Sequence, residues 1–310
     1  MTAQHAQEAG EGAGSPGASG WFCDLHVHST ASDGTTLPQD LPKLARAAGL
    51  AAMALTDHDT TDGLPACAAA AARIGLTFVP GIEISADPGP PPGRPATSPM
   101  RLGTLHILGL FVAAGDAKLR QIRQRMRAAR NSRNPAIVEK LNALGVGIDY
   151  AEVLDLARAE GTQIIGRPHI AEVLMRRGYA DSVTDAFARY LRQGAPAYVR
   201  RDRLAANDAI DAIHHAGGLA VMAHPVQLVA GDRDQLEQHV RRLKDSGLDG
   251  IETRHSDHTP QEVDFFEDLA KRYGLGTSGG SDFHGSRKSV ALGSQRVPFT
   301  VFEGLVERRA

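Results

Sequence analysis

Two histidines and an aspartate near the start of the sequence have the types and spacing of metal ligands. His26 and His28 alternate with apolar residues in the period-two pattern of a β-strand, so both imidazoles face the same side. Two residues along a strand span roughly 6–7 Å, which is close enough for both rings to reach one metal ion. A turn that follows can bring the Asp33 carboxylate over the same strand end. The pattern predicts metal ligation rather than three unrelated polar residues.

Several later apolar segments also carry a histidine or an acid near one end. Glu83 lies between two isoleucines, where a carboxylate is costly unless it is paired or bound to a metal. The candidate metal ligands are His26, His28, Asp33, His58, Glu83, His106, His224, Asp282 and His284. Six imidazoles and three carboxylates are too many for one tetrahedral ion, but they suit two or three divalent ions that share a carboxylate. Mixed nitrogen and oxygen ligation favours Mn, Zn or Fe over Mg or Ca.

Helices are predicted between most of the strands that carry these ligands. This alternation is typical of an α/β fold with parallel strands, and the polar groups at one end of such a barrel form its active face. The carboxylates Asp24 and Asp57 stand next to candidate ligands in the sequence, and we expect them to orient the ligand histidines.

The sequence between residues 113 and 204 predicts a helical insertion that binds substrate. Helices are expected over 116–133, 136–144, 150–159, 169–176 and 183–192, because Pro135 and several glycines divide the segment. Arg120, Arg123, Arg127 and Arg130 share one helix face. That face is either a solvated surface or a basic stripe directed at phosphate groups.

Composition limits the class of protein. The chain has 310 residues, 42% of them hydrophobic, and a formal net charge of −2, so an anionic partner must be attracted by a local site. Two cysteines predict no disulfide framework and favour a reducing compartment. Residues 1–20 resemble a disordered tail rather than a secretion signal, and no segment approaches the ~20 apolar residues of a membrane span. These features predict a cytoplasmic protein without a membrane partner.

Six short motifs, taken in order, resemble those of the PHP (polymerase and histidinol phosphatase) family of metal-dependent phosphoesterases. They are Asp-Leu-His26-Val-His28-Ser with Ser-Asp33-Gly, Thr-Asp-His58-Asp, Gly-Ile-Glu83-Ile-Ser, His106-Ile-Leu-Gly, Ala-His224-Pro and Gly-Ser-Asp282-Phe-His284. The resemblance covers residues 22 to about 293. It implies a distorted (β/α)7 TIM-like barrel, formed by residues 21–112 and 205–310 and interrupted by the insertion at 113–204.

The same resemblance implies a trinuclear site. One ion would be held by His26, His28, Glu83 and Asp282, a second by Asp33, His58 and His284, and a third by Glu83, His106 and His224, with Glu83 bridging. The insertion is similar to that of the subgroup that hydrolyses 3′,5′-bisphosphonucleotides and trims RNA from its 5′ end. A metal-bridging hydroxide is then the expected nucleophile, and a phosphorylated nucleotide or short RNA 5′ end the expected partner.

Residues outside the metal motifs are candidates for substrate binding. We expect Arg167 and His169, together with Arg130 or Arg200, to bind the second phosphate of the substrate, because guanidinium groups contact phosphate in a bidentate manner. His258 follows a strand end on the expected active face, where substrate contact and a purely structural loop role are equally compatible with the sequence.

Three other functions are compatible with such a metal site. A histidinol-phosphate-type monophosphatase would use the same ions, but its small cationic substrate would not need a basic insertion. A non-catalytic accessory module, like the PHP domains of replicative polymerases, is disfavoured because every expected ligand is present and no polymerase segment follows Ala310. A metal-dependent amidohydrolase is the third alternative. No obligate protein partner is inferred.

Overall fold

The structure is a computed structural model that describes residues 20–92, 102–162, 164–229 and 232–310. The tail predicted over 1–20, apart from Gly20, and most of the Pro/Gly-rich loop at 87–100 lie outside the described residues. The strands are β1 Phe22–Asp24, β2 Leu50–Leu55, β3 Thr77–Asp87, β4 Leu105–Leu110, β5 Leu204–Ala205, β6 Leu219–Met222, β7 Gly250–Arg254, β8 Gly276–Gly279 and β9 Val297–Pro298. The α-helices are α1 Leu41–Ala47, α2 Leu64–Arg73, α3 Ala117–Ala143, α4 Tyr150–Ala159, α5 Arg167–Arg176, α6 Val183–Ala186, α7 Ala206–His215, α8 Arg233–Asp245, α9 Pro260–Tyr273 and α10 Phe299–Arg309.

Seven strands form a nearly closed barrel. The sheet has the order β8-β7-β6-β4-β3-β2-β1-β9, and β5 pairs with β3. The chain beyond β1 then meets the chain beyond β8, since the Leu25 amide donates to the Gly279 carbonyl at 3.0 Å and the His28 amide to the Phe283 carbonyl at 2.9 Å. The predicted α/β barrel is therefore confirmed. Successive residues of β2 pack into different hydrophobic clusters, as expected for a strand that is covered on both faces.

The expectation that all barrel strands are parallel is wrong for β4. This strand runs antiparallel to both of its neighbours, β3 and β6. No helix is found in the described part of the connection from β3 to β4, and without a helical crossover a following strand pairs in the opposite direction. Because β4 is reversed, His106 at its start lies opposite Ser85 near the end of β3. The reversal thus brings His106 to the barrel end where Glu83 lies.

The break predicted at Pro135 is also absent, because α3 continues through this residue. Proline removes one helical hydrogen bond, but the helix is held by tertiary packing on both sides of it. Leu119 and Met126 pack in the core cluster of the barrel, whereas Ile137 and Leu141 pack in a separate cluster formed by the insertion. A single helix therefore connects the two hydrophobic cores.

The remaining helices differ from prediction mainly at their ends. α5 begins at Arg167, two residues earlier than expected, and the segment predicted as one helix over 183–192 is α6 followed by a π-helical turn over Phe187–Leu191. The C-terminal elements β9 and α10 were not predicted; β9 pairs antiparallel with β1. No helix in the described ranges has the length and apolarity that crossing a membrane requires.

Candidate metal centre

All nine predicted ligands lie in one cluster at the end of the barrel. Their nitrogen and oxygen atoms form overlapping groups in which every member lies within 4.8 Å of the others. These groups are His28 with Asp33, His58 and His284; His26 with His28 and Asp282; His26 with Glu83 and His224; and His58 with Glu83 and His106. The clustering supports the expectation that scattered motifs meet at one site. The assignment of each ligand to a particular ion stays a prediction.

Glu83 occupies the centre of the cluster. Its Oε1 lies 2.7 Å from His106 Nδ1 and 3.0 Å from His224 Nε2. Its Oε2 lies 2.9 Å from His58 Nδ1 and 3.2 Å from His28 Nε2. The two oxygens therefore face different groups of imidazoles, which is the arrangement that a bridging carboxylate requires.

Two aspartates complete the cluster on either side of Glu83. Asp282 Oδ1 lies 3.3 Å from both His28 Nε2 and His284 Nδ1. Asp33 Oδ1 lies 3.2 Å from His284 Nε2, and its Oδ2 lies 3.8 Å from His58 Nε2. Both rings of the His28/His284 pair thus stand between two carboxylates, and the ring centroids are 4.1 Å apart.

Several of the clustered atoms lack a hydrogen-bond partner among the described residues. They include His28 Nδ1, His58 Nδ1, His224 Nδ1 and Glu83 Oε2, all of which are buried. Buried polar atoms are rarely left unpaired in proteins, because their desolvation costs about 1–3 kcal/mol each. A buried cluster that leaves some of its nitrogen and oxygen atoms without hydrogen-bond partners is suited to a cation. The donor set therefore fits divalent metal ions.

The charges of the cluster also favour cations. Burial opposes a positive charge on His28, but its interactions with Asp282 and Glu83 outweigh burial and raise its pKa to about 9. Burial instead dominates at His106 and lowers its pKa to about 3, and it lowers the pKa of His284 to about 4. The last two imidazoles are neutral at physiological pH, which is the form that binds a metal.

Glu252 and His255 belong to this cluster but were not predicted. Glu252 is fully buried in β7, and its Oε1 accepts from His26 Nδ1 at 3.1 Å while its Oε2 accepts from the His224 amide at 2.7 Å. His255 Nε2 lies 3.4 Å from Asp282 Oδ2. The signal for Glu252 was present in the sequence, because it follows an isoleucine in a buried strand as Glu83 does. Glu252 therefore orients the imidazole of His26 and holds the backbone of His224, two of the candidate ligands.

Contrary to the expectation from sequence, Asp24 and Asp57 do not orient the imidazoles of the candidate ligands. Neither carboxylate forms a hydrogen bond with a histidine ring among the described residues. Asp24 accepts from the Ser281 amide at 2.9 Å and the Gly293 amide at 2.8 Å. Asp57 accepts from the Ser29 amide at 2.7 Å. Both acids therefore position the backbone segments that carry metal ligands rather than the imidazoles themselves.

The cluster of candidate ligands opens into a cavity of about 470 Å³ beneath the helical insertion. Asp33, His58, His106 and His284 line its floor. Six arginines line its other walls: Arg130, Arg133, Arg167, Arg201, Arg203 and Arg287. The cavity therefore joins a cluster of metal ligands to a cluster of guanidinium groups.

One buried carboxylate holds two of these arginines. Asp59 Oδ2 lies 2.6 Å from the Arg130 guanidinium and 3.0 Å from that of Arg201. Asp59 also accepts from the Ser85 amide at 2.9 Å and lies directly after the candidate ligand His58. Burial would raise its pKa, but the charges of Arg201 and Arg130 keep it below its usual range. Asp59 thus connects the insertion to the loop after β2 that carries the candidate ligand His58.

Of the other arginines of the cavity, Arg287 pairs with Glu160, whereas Arg133, Arg167 and Arg203 have no carboxylate within 4 Å among the described residues. Arg133 donates to Asn134 Oδ1 at 2.8 Å, and Arg167 donates to the Leu191 carbonyl at 3.0 Å. Burial lowers the pKa of Arg133 to about 8 and that of Arg167 to about 10, and neighbouring guanidinium groups add to the effect at Arg133. Buried positive charges without counter-charges are costly, so this wall of the cavity is suited to an anion.

The structure brings only two of the five predicted substrate-binding residues to this cavity. Arg130 and Arg167 line it, whereas Arg200 points outward and pairs with Asp87 at 2.9 Å. His169 is buried behind the wall, and its Nδ1 accepts from the Gly166 amide at 3.0 Å. His258 donates to the Thr253 carbonyl at 2.9 Å and packs on a phenylalanine ring outside the cavity.

The predicted arginine stripe on α3 was compatible with a solvated surface or with a basic stripe directed at phosphate groups, and its four arginines divide between these two alternatives. Arg120 and Arg127 are exposed, and Arg120 donates to the Gly115 carbonyl at 3.0 Å. Arg123 pairs with Asp62. Of the four, only Arg130 lines the cavity, so most of this face is a solvated surface.

Comparison with known proteins identifies the family. Residues 24–245 match the PHP domain. The chain belongs to the PHP family. A PHP relative from Chromobacterium violaceum named 3′,5′-nucleoside bisphosphate phosphatase is 35% identical over 84% of this chain and 86% of its own length. A 5′-3′ exoribonuclease from Haemophilus influenzae is 35% identical over 84% of this chain and 89% of its own length.

A solved structure from Bifidobacterium adolescentis gives the same result. It is described as a metal-dependent phosphoesterase and superimposes on this PHP chain with a TM-score of 0.80, at 29% identity, over 93% of this chain and 96% of its own. The family, the barrel fold and the enzyme class predicted from the motifs are therefore confirmed: the chain is a PHP phosphoesterase.

Proposed function

We propose that this PHP protein hydrolyses the 3′-phosphate of nucleotides that also carry a 5′-phosphate, and that it removes 5′-terminal nucleotides from short 5′-phosphorylated RNA. The observation that carries the proposal is the cavity itself, in which six arginines face four of the nine candidate metal ligands. The names of the two bacterial relatives support the same substrate class.

Two or three divalent ions, of Mn, Zn or Fe, would be bound by the nine ligands. The ions would supply Lewis acidity, neutralise charge on the phosphoryl oxygens and lower the pKa of water toward about 7. The reaction then needs no nucleophile from the protein. Water contributes a hydroxyl to phosphorus and a proton to the ribose O3′, and the bond that breaks joins phosphorus to O3′.

The protein's own contribution is to position the substrate between two anion-binding regions. Arg133 and Arg167 offer guanidinium donors that have no acidic partner among the described residues, so they would bind the 5′-phosphate. Arg130 and Arg201 are fixed by Asp59 and would add positive charge from the same side. Guanidinium groups hold phosphate in a bidentate geometry, which aligns the distant end of the nucleotide and hence the bond to be cleaved.

The arginine-rich cavity disfavours the alternative that the protein is a histidinol-phosphate-type monophosphatase. Histidinol phosphate carries a positive charge next to its phosphate, and the six guanidinium groups of the cavity would repel that charge. A 3′,5′-bisphosphorylated nucleotide instead presents a phosphate to each region.

The first experiment compares substrates. Protein stripped with a chelator is reloaded with Mn, Zn or Fe, and phosphate release is measured from adenosine 3′,5′-bisphosphate, 3′-AMP and histidinol phosphate. We expect kcat/KM to be highest for the bisphosphate and activity to disappear without metal. Loaded protein that releases no phosphate from any ester would instead favour an accessory module or an amidohydrolase.

The second experiment tests the arginines. The variant Arg167→Ala removes a charge-assisted contact worth about 1.5–3 kcal/mol, so KM for the bisphosphate should rise roughly 10- to 100-fold while KM for 3′-AMP changes little. Arg158→Ala is the matched control, because Arg158 is exposed on α4 and, among the described residues, pairs only with Asp155. An unchanged KM for the bisphosphate in Arg167→Ala would remove this residue from the proposal.

A further inference from the structure

A second cavity, of about 790 Å³, adjoins the first. Five residues line both cavities: Val183, Thr184, Gln227, Arg287 and Lys288. Arg287 donates to the backbone carbonyl of the ligand Asp33 at 2.6 Å, and Lys288 pairs with the carboxylate of the ligand Asp282. The boundary between the two cavities therefore lies next to the metal cluster.

The second cavity is lined by the insertion on one side and by barrel loops on the other. Glu172 and Met175 of α5 face it from the insertion, and Ser256, Ser286 and Ser289 face it from the barrel. None of the nine metal ligands lines it. It is therefore a separate space that can be reached from the metal cluster, and no step of the mononucleotide reaction described above uses it.

Its lining is polar without a net charge. Three acids line it, and each has a partner. Glu160 pairs with Arg287, Glu172 accepts from Arg176 at 2.9 Å, and Asp257 accepts from Gln227 Nε2 at 2.8 Å. The serine and threonine hydroxyls remain as donors and acceptors. Such a surface differs from the arginine walls of the first cavity and does not select a free phosphate.

The chemistry of the proposed reaction gives this space a use. Removal of a 3′-phosphate and removal of a 5′-terminal nucleotide from RNA break the same kind of bond, between phosphorus and a ribose O3′. The two substrates differ because in RNA the phosphoryl group carries a further nucleotide. An enzyme that accepts RNA must therefore have room beyond the metal cluster, on the side away from the leaving nucleotide.

We propose that the second cavity accepts the nucleotides on the 3′ side of the cleaved bond in an oligoribonucleotide. This inference rests on the proposed function, since it places the 5′-terminal nucleotide in the first cavity. The volume lies within the range of about 300–1,000 Å³ that is typical of ligand pockets, so it holds at least one nucleotide. Hydroxyl side chains suit the ribose 2′-OH and phosphate oxygens, whereas no aromatic ring among the described residues lines the cavity to stack on bases. The cavity accepts RNA with little preference for base sequence.

The test fills the second cavity without altering the first. Ser289→Trp places an indole in the cavity, and Val290→Trp does so from the neighbouring position, so that a folding defect in one variant does not decide the result. Ser294→Trp is the matched control, because Ser294 is exposed and lines neither cavity. Each metal-loaded protein is assayed with adenosine 3′,5′-bisphosphate and with 5′-phosphorylated tetra-adenylate.

The measured quantity is the ratio of kcat/KM for the tetranucleotide to kcat/KM for the bisphosphate. We expect this ratio to fall about tenfold or more in Ser289→Trp and Val290→Trp and to stay at the wild-type value in Ser294→Trp. Equal losses on both substrates, an unchanged ratio, or a wild-type protein that cleaves the bisphosphate but not the tetranucleotide would each overturn the assignment. Failure of the wild type on both substrates would instead overturn the proposed function.

Discussion

Replacement of Asp59 by asparagine tests how the arginines of the cavity are held. The carboxylate is almost fully buried and lies 2.6 Å from Arg130 and 3.0 Å from Arg201. Asparagine keeps the size of the side chain and tolerates the left-handed backbone at this position, where φ is 54°. Asp59→Asn therefore removes one negative charge and leaves two buried guanidinium groups without it.

The expected loss of stability is large. Removing one partner of a buried ion pair costs about 3–5 kcal/mol, because the remaining charge stays desolvated. Here two guanidinium groups lose their partner, so the free energy of unfolding should fall by at least the lower figure. Urea denaturation of metal-loaded protein measures this change. KM for adenosine 3′,5′-bisphosphate should also rise, since Arg130 and Arg201 lose their fixed positions.

The neighbouring acid Asp62 provides the control. Asp62 pairs with Arg123, which lies on α3 as Arg130 does, but both side chains of this pair are partly exposed. Asp62→Asn should therefore lower the free energy of unfolding by less than about 1 kcal/mol. Sulfate should stabilise Asp59→Asn more than the wild type, because a small anion can replace the missing charge next to the two guanidinium groups. Equal stability of the two asparagine variants, or equal stabilisation by the anion, would refute the view that Asp59 neutralises the arginine cluster.

Three further predictions concern other parts of the molecule. A Cβ atom at Gly280 would lie 2.4 Å from the Cβ of His26, so Gly280→Ala should displace that ligand and weaken metal binding in a titration at least about tenfold; Gly304→Ala, with open space around it, should leave metal affinity unchanged. Glu252→Gln should lower metal affinity about 10- to 100-fold, and an unaltered titration curve would contradict its role in orienting His26. Burial lowers the pKa of His239 to about 4, so the unfolded chain binds the extra proton and stability falls as the pH drops from about 6.5 to 4; in His239→Gln that fall should be smaller by on the order of 2 kcal/mol in urea denaturation at several pH values.

The clustering of the candidate ligands could be predicted from sequence because most of them lie within or soon after a strand. Strand ends of an α/β barrel meet at one face, so His58 and His224 could be expected near each other although 166 positions separate them. The direction of β4 could not be predicted, since an apolar strand has the same pattern in both orientations. His106 lies in the cluster because β4 is antiparallel to its neighbours, and its position in the sequence does not reveal that direction.

The substrate-binding residues were harder to predict. Arg200 and Arg201 are adjacent, and in extended chain neighbouring side chains point to opposite sides. Arg201 faces the cavity and Arg200 faces solvent, and only the packing of the insertion on the barrel determines which. Asp59, which fixes Arg201, was passed over because its partners are 71 and 142 positions away. Long-range ion pairs leave no periodic signal in a sequence.

The reversed direction of β4 explains why the insertion begins with so long a helix. β4 ends at Leu110, opposite Leu219 at the start of β6, so the chain leaves the barrel at the base, far from the metal ligands. Between Ala117 and Arg130, α3 extends about 20 Å back along the barrel, at 1.5 Å per residue. This length brings Arg130 to Asp59. The number of turns in α3 before Arg130 therefore sets the distance between Arg130 and the candidate metal ligands. Adding or removing one turn of α3 before Arg130 would shift Arg130 by about 5.4 Å along the helix axis. It would thereby change the length of substrate that fits between the arginines and the candidate metal ligands.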